Sequence, residues 1–94
     1  MRTNSDTAIA DGQVTLPENV DLHARPAANF VRTAMRFSAN VSVAVGEREV
    51  DAKSLLSILA LGAKRGTSLR LRASGEDAAA AIAALTATVA ALRE

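Results

Sequence analysis

Val41-Ser42-Val43-Ala44-Val45-Gly46-Glu47-Arg48-Glu49-Val50-Asp51 reads as a β-hairpin. Val41, Val43 and Val45 alternate with small or polar residues, and β-branched side chains at period two suit a strand with one buried face. Gly46-Glu47 supplies a two-residue turn of the Gly-x type, and Arg48 to Asp51 returns as a short antiparallel strand. Upstream, apolar residues at 27, 30, 31 and 34 predict a helix from Pro26 to about Arg36, ended by Ser38-Ala39-Asn40. Downstream, Lys53 to Leu61 predicts a second helix, with Ser54 as its N-cap and Gly62 as its stop. Farther out, Gln13-Val14-Thr15-Leu16 alternates as a strand, and Leu69, Leu71 and Ala73 alternate with Arg70 and Arg72. The last helix follows Asp77, a good capping residue, and carries an apolar stripe at 78, 82, 85, 89 and 92. Strand, helix, strand, strand, helix, strand, helix is the order of an α+β domain. A four-stranded, mostly antiparallel sheet with three helices on one face satisfies it.

Bulk properties narrow the class. The chain has 94 residues, enough for one domain with a modest core. Residues 1–10 are small and polar and read as a flexible N-terminal extension, which leaves 11–94 as the single domain. A net charge of +1, no Trp or Tyr and only Phe30 and Phe37 give no basic face or stacking platform for nucleic acid. The absence of cysteine excludes disulfides and thiolate chemistry and agrees with a reducing compartment. No apolar run approaches a membrane span of roughly 20 residues, and no signal peptide is evident, so a cytoplasmic monomer without membrane insertion is expected.

Chemistry concentrates in Asp21-Leu22-His23-Ala24-Arg25-Pro26-Ala27-Ala28, which holds the only histidine and one of two prolines. Proline is favoured in a first helical turn because its missing N–H has no intrahelical partner there. His23 therefore stands at or just before a helix N-terminus, where unpaired N–H groups and the macrodipole suit an anion. Arg25 adds charge-assisted hydrogen bonds to phosphate oxygens. A second histidine, a metal-ligand cluster and a glycine-rich nucleotide loop are all lacking, so no cofactor is called for and a free-standing enzyme lacks parts. A side chain that accepts a group and passes it on needs none of them.

Leu22-His23-Ala24-Arg25-Pro26-Ala27 with Phe30-Val31 resembles the active-site motif of the HPr family, the histidine-containing phosphocarriers of the sugar phosphotransferase system. Lys53-Ser54-Leu55-Leu56 through Leu61-Gly62, then Gly66-Thr67 and Ser74-Gly75-Glu76-Asp77, resemble further family segments, in order over residues 10 to 93. The resemblance implies an open-faced β-sandwich with the order βαββαβα. It implies that His23 takes a phosphoryl group on ring Nδ1 from phosphorylated enzyme I, which draws on phosphoenolpyruvate. It implies onward transfer to the A components of sugar permeases, with Arg25 as phosphate clamp. It also marks Ser54 as a regulatory phosphorylation site served by a serine kinase, in addition to its capping role. One departure stands out: Asp21 occupies a place where the family usually has glycine. Aspartate tolerates left-handed backbone geometry, but its charge lies two residues from His23.

The second helix is too apolar to bury all round: Ile58, Leu61 and part of Leu55 suit the core, whereas Leu56 and Leu59 project elsewhere. Leu55, Leu56 and Leu59 with Ala24, Ala28 and Arg32 are the expected partner-binding surface, and Arg32 and Arg36 its basic rim. An alternative role is an HPr-like regulator of nitrogen or carbon control that acts by binding proteins such as transcription regulators. A small ligand-binding sensor domain would fit the element order but leave the histidine motif unexplained.

Overall fold

The computed structural model describes residues 8–93. Its elements are β1 (Ile9–Thr15), α1 (Ala24–Ala34), β2 (Asn40–Val45), β3 (Arg48–Asp51), α2 (Leu55–Leu61), β4 (Ser68–Ser74) and α3 (Ala78–Ala90). The four strands form one sheet in the order β1-β4-β2-β3, every pair antiparallel. All seven elements match the order expected from sequence, and the open-faced α+β architecture is the one observed.

Strand β4 is the seam of the sheet. Leu69, Leu71 and Ala73 point into the core, while Ser68, Arg70 and Arg72 face outward. Its inward residues meet Leu85, Ile82 and Val89 of α3, Phe30 of α1 and Ile58 of α2 in one apolar cluster. The stripe at 78, 82, 85, 89 and 92 is buried throughout, as expected, and Ala81 joins it. Ala27, Phe30, Val31 and Ala34 of α1 are buried likewise.

Boundaries differ in instructive ways. Strand β1 starts at Ile9, ahead of the Gln13 start read from the pattern and inside the stretch expected to be an extension; residues 1–7 lie outside the described ones. Ala10-Asp11-Gly12-Gln13 has poor strand propensity, but it pairs along the whole of β4 from Ile9↔Ser74 to Thr15↔Ser68. Cross-strand contacts supply what propensity lacks: Arg72 bonds the Asp11 carboxylate at 2.9 Å and Gln13 donates to Ser68 at 2.8 Å. Gly12 lets α3 approach, since a Cβ there would come within 2.6 Å of Ile82 Cγ2.

Helix α1 begins at Ala24, two residues before the proline, and ends at Ala34, so Met35 and Arg36 lie in the turn after it. Helix α2 has the expected caps but starts at Leu55, leaving Lys53 outside it: Ser54 Oγ accepts from Ser57 N–H at 3.2 Å, and Gly62 takes the left-handed conformation at φ 65°. Arg48 from β3 adds a distal cap, donating to the carbonyls of Ala60 and Leu61 at 2.9 and 3.4 Å.

Asp77 holds the N-cap position of α3 but does not cap it with its side chain. Its carboxylate instead accepts from the N–H groups of Ser38 and Ala39 at 2.9 and 2.8 Å. The turn leaving α1 is thereby tied to the turn entering α3. Gly75, at φ 141°, completes the contact, because a Cβ there would sit 2.9 Å from Ala39 Cα. The Ser38 N–H bond, with that of Ala39, holds the Asp77 carboxyl below its ordinary value. A depressed folded-state pKa gives stability that is present above the unfolded value and lost as pH falls through the folded one. Asp77→Ala is therefore expected to lower the thermal midpoint at neutral pH and to flatten the acid limb of the stability profile. Asp77→Asn should fall between, keeping an acceptor but losing the charge. Calorimetry between about pH 2 and 7 checks both.

Candidate functional site

The loop before α1 is pinned by Leu22, which is fully buried and whose N–H donates to the Ala63 carbonyl at 2.9 Å. His23 follows in extended conformation at φ −147° and ψ 160° as the helix N-cap, its own N–H bonded to the Asp21 carbonyl at 2.9 Å. The next residue reverses sharply: Ala24 has φ 51°, the only positive φ at a non-glycine among the described residues. Burying Leu22 while turning at Ala24 leaves the imidazole on the surface. Its ring makes no hydrogen bond among the described residues, and it does not cap the helix.

A cavity of about 540 Å³ opens around it, walled by Arg25 and Pro26 from α1, Arg65 from the α2–β4 turn and Arg93 beyond α3. The first turn of α1 carries no acidic residue, so the positive end of its dipole faces this cavity with no carboxylate from the helix itself to offset it. An exposed imidazole with a free ring lone pair, beside three guanidinium groups and a helix N-terminus, can take up a phosphoryl group and balance its charge.

Asp21 enters differently from expectation. Its backbone is not left-handed, so glycine's freedom is not required there. Its carboxylate accepts from Arg65 Nε at 3.3 Å and from the Arg65 N–H at 2.8 Å, and these bonds hold its pKa below the ordinary value. The negative charge near His23 is thus matched by a guanidinium in the same cavity. Arg65 and Arg93 were not legible as site residues: one reads as part of a Lys-Arg-Gly turn, the other as the tail of a helix, and only the topology delivers them to His23.

The other expected residues fall in two places. Leu56 is 80% exposed and Leu55 41%, with Leu59 half-buried against the core; Ala24 is exposed and Ala28 half-buried. Arg32 donates to Asn29 at 3.0 Å and lines a groove between α1 and α3 together with Arg36. Ser54 is half-buried and occupied in capping α2. No group of three or more potential metal ligands occurs among the described residues, and no helix there is long and apolar enough to cross a membrane.

The strained turn gives a prediction. A left-handed alanine costs roughly 1–2 kcal/mol, against which glycine loses about 0.5–1 kcal/mol of backbone entropy. Ala24→Gly is expected to raise the unfolding free energy by up to about 1 kcal/mol in urea titration; a loss of stability would show that Ala24 is not strained.

Comparison with known proteins agrees with this geometry. A family model, PTS-HPr, described as the PTS HPr component phosphorylation site, matches residues 10–91. The phosphocarrier protein HPr of Xylella fastidiosa strain Temecula1 is 38% identical over 74 residues, 79% of this chain and 83% of that protein. The multiphosphoryl transfer protein of Haemophilus influenzae is 39% identical over 93 residues, 96% of this chain but 19% of that larger protein. The crystal structure of HPr from Thermoanaerobacter tengcongensis superposes with a TM-score of 0.83 at 37% identity, covering 86% of this chain and 91% of that one. With its sheet order, its histidine at the head of α1 and these likenesses, the chain belongs to the HPr family of phosphocarrier proteins.

Proposed function

We propose that the chain is a cytoplasmic phosphoryl carrier whose acceptor is His23 Nδ1. The donor is phosphorylated enzyme I, charged from phosphoenolpyruvate, and the acceptors are the A components of sugar permeases. In the first step the donor's P–N bond breaks as the lone pair on Nδ1 forms a new one, with the ring proton remaining on the other nitrogen. In the second, the phosphoryl group leaves to a nucleophile on the acceptor. Arg25 clamps the phosphoryl oxygens in both. The observation that carries this reading is the exposed, unbonded imidazole at the N-cap of α1, inside a cavity lined by arginines.

Partners dock on the exposed leucines Leu55 and Leu56 with Leu59, Ala24 and Ala28, while Arg32 supplies a basic edge. Transient exchange needs such an apolar contact to be small, and two exposed leucines meet that need. Ser54 serves as a second, regulatory site. A phosphate there would sit at the N-terminus of α2, where the dipole tolerates it, and would place negative charge beside the docking leucines.

Incubation with enzyme I and phosphoenolpyruvate should add one acid-labile phosphate, read by mass, and His23→Ala should abolish it. No transfer to the wild-type chain from a cognate enzyme I would overturn the reading. Arg25→Ala should slow transfer by about 10- to 100-fold, the loss of one hydrogen bond to a charged group. Leu56→Asp should raise KM for enzyme I with little change in the unfolding midpoint, because the side chain is 80% exposed.

A further inference from the structure

Arg65 differs from the other two arginines of the His23 cavity. Arg25 and Arg93 reach it from the start of α1 and from beyond the end of α3, whereas Arg65 comes from the α2–β4 turn and already holds a carboxylate, that of Asp21. The turn and the loop before α1 stay together without the guanidinium. Leu22 N–H donates to the Ala63 carbonyl at 2.9 Å, and Leu16 N–H to the Thr67 carbonyl at 2.9 Å. Gly66 N–H donates to the Leu16 and Pro17 carbonyls at 3.1 and 3.3 Å, and the Arg65 N–H to Asp21 Oδ1 at 2.8 Å. Each of these bonds uses a backbone N–H, so movement of the Arg65 side chain leaves them intact.

The guanidinium contact is of another kind. Arg65 Nε reaches the same Asp21 oxygen at 3.3 Å, longer than the roughly 2.7–2.9 Å of a strong charge-assisted bond. The Arg65 side chain is 59% exposed and that of Asp21 35%. Such a pair is weak, because water screens both charges and fixing a long side chain costs entropy. Since Oδ1 also accepts from the Arg65 N–H, the carboxylate keeps a donor when the guanidinium leaves. His23 lies two residues from Asp21 and lines the same cavity. A phosphoryl group carries more negative charge than a carboxylate and three strong acceptor oxygens, which a guanidinium fork matches.

Resting on the phosphocarrier reading above, we infer that Arg65 is a second phosphoryl-binding residue, which Asp21 holds at the cavity in the unmodified chain and yields when His23 is phosphorylated. The guanidinium offsets a carboxylate before transfer and phosphoryl oxygens after it. Asp21 is a positioning residue: it keeps the cation beside the ring while the ring is bare. After the exchange its own charge, braced in place by the Arg65 N–H, opposes the phosphoryl group. That opposition limits how tightly the group is held, which suits a carrier that must pass it on.

The test loads the isotope-labelled full chain at its single histidine with phosphoramidate, a small phosphoryl donor, and follows nitrogen and phosphorus magnetic resonance. The Arg65 Nε–H signal should move on phosphorylation. In Arg65→Ala the pH midpoint of the phosphoryl group's last ionisation should rise by about 0.2 to 0.7, the contribution of one exposed charge pair, because losing a nearby cation disfavours the dianion. Asp21→Asn, which keeps an oxygen for the Arg65 N–H, should lower that midpoint by a similar amount. Arg65→Lys should fall between Arg65→Ala and the wild type, since lysine keeps the charge but not the fork. An Arg65 Nε–H signal that stays in place, or equal midpoints in Arg65→Ala and the wild type, overturns the proposal. Loading by phosphoramidate needs no enzyme I. A chain that shows these changes yet takes nothing from enzyme I supports Arg65 as a phosphoryl ligand and overturns only the choice of donor. One that accepts from enzyme I but shows none of them overturns this inference and leaves the carrier reading standing.

Discussion

The burial of Leu22 next to the exposure of His23 is the constraint on which the site depends. A leucine driven fully into the core, and held there by its N–H on the Ala63 carbonyl, fixes the chain one residue before the imidazole. With that point fixed, His23 can only lie on the rim, and Ala24 must turn through φ 51° for α1 to pack Ala27, Phe30 and Val31. Burial of a leucine contributes roughly 1.5–3 kcal/mol, more than the 1–2 kcal/mol cost of a left-handed alanine, so the loop keeps its strained geometry. Core packing thus sets the imidazole on the surface at the head of α1.

How far this could be read from sequence depends on the range of the interaction. The hairpin Val41 to Asp51, the α3 stripe and the α2 caps at Ser54 and Gly62 were legible because each rests on neighbours within a turn or two. His23 was legible for the same reason, since the proline and the apolar spacing that locate the helix are local. Strand β1 was legible only from Gln13 onward. Its first residues become a strand through pairing with β4, a partner more than fifty residues away whose influence no local pattern records. Asp77 looked like a cap and is instead a tie to Ser38 and Ala39. Arg65 and Arg93 gave no local signal at all.

Asp21 shows how a charge beside His23 is compensated. Its carboxylate alone would put an unbalanced negative charge next to the exposed imidazole. Here the Arg65 N–H and guanidinium both engage it, across 44 residues of sequence. The pair also braces the two loops that flank the cavity, so charge compensation and loop geometry come from the same contact. The matched pair leaves Arg25 and Arg93 as the arginines of that cavity without an acidic partner among the described residues.

The strand order has a consequence for how the chain acquires its shape. Because β4 lies between β1 and β2, the first strand and the hairpin are joined into one sheet only when the segment Ser68–Ser74 arrives to pair with both. During synthesis α1 and the hairpin can form early, but two strand edges stay open until β4 has emerged. Closing so long a loop is entropically slow, and unpaired edges invite association in the interval. The outermost strand β3 carries the charged residues Arg48, Glu49 and Asp51, which disfavour edge-to-edge pairing with another chain.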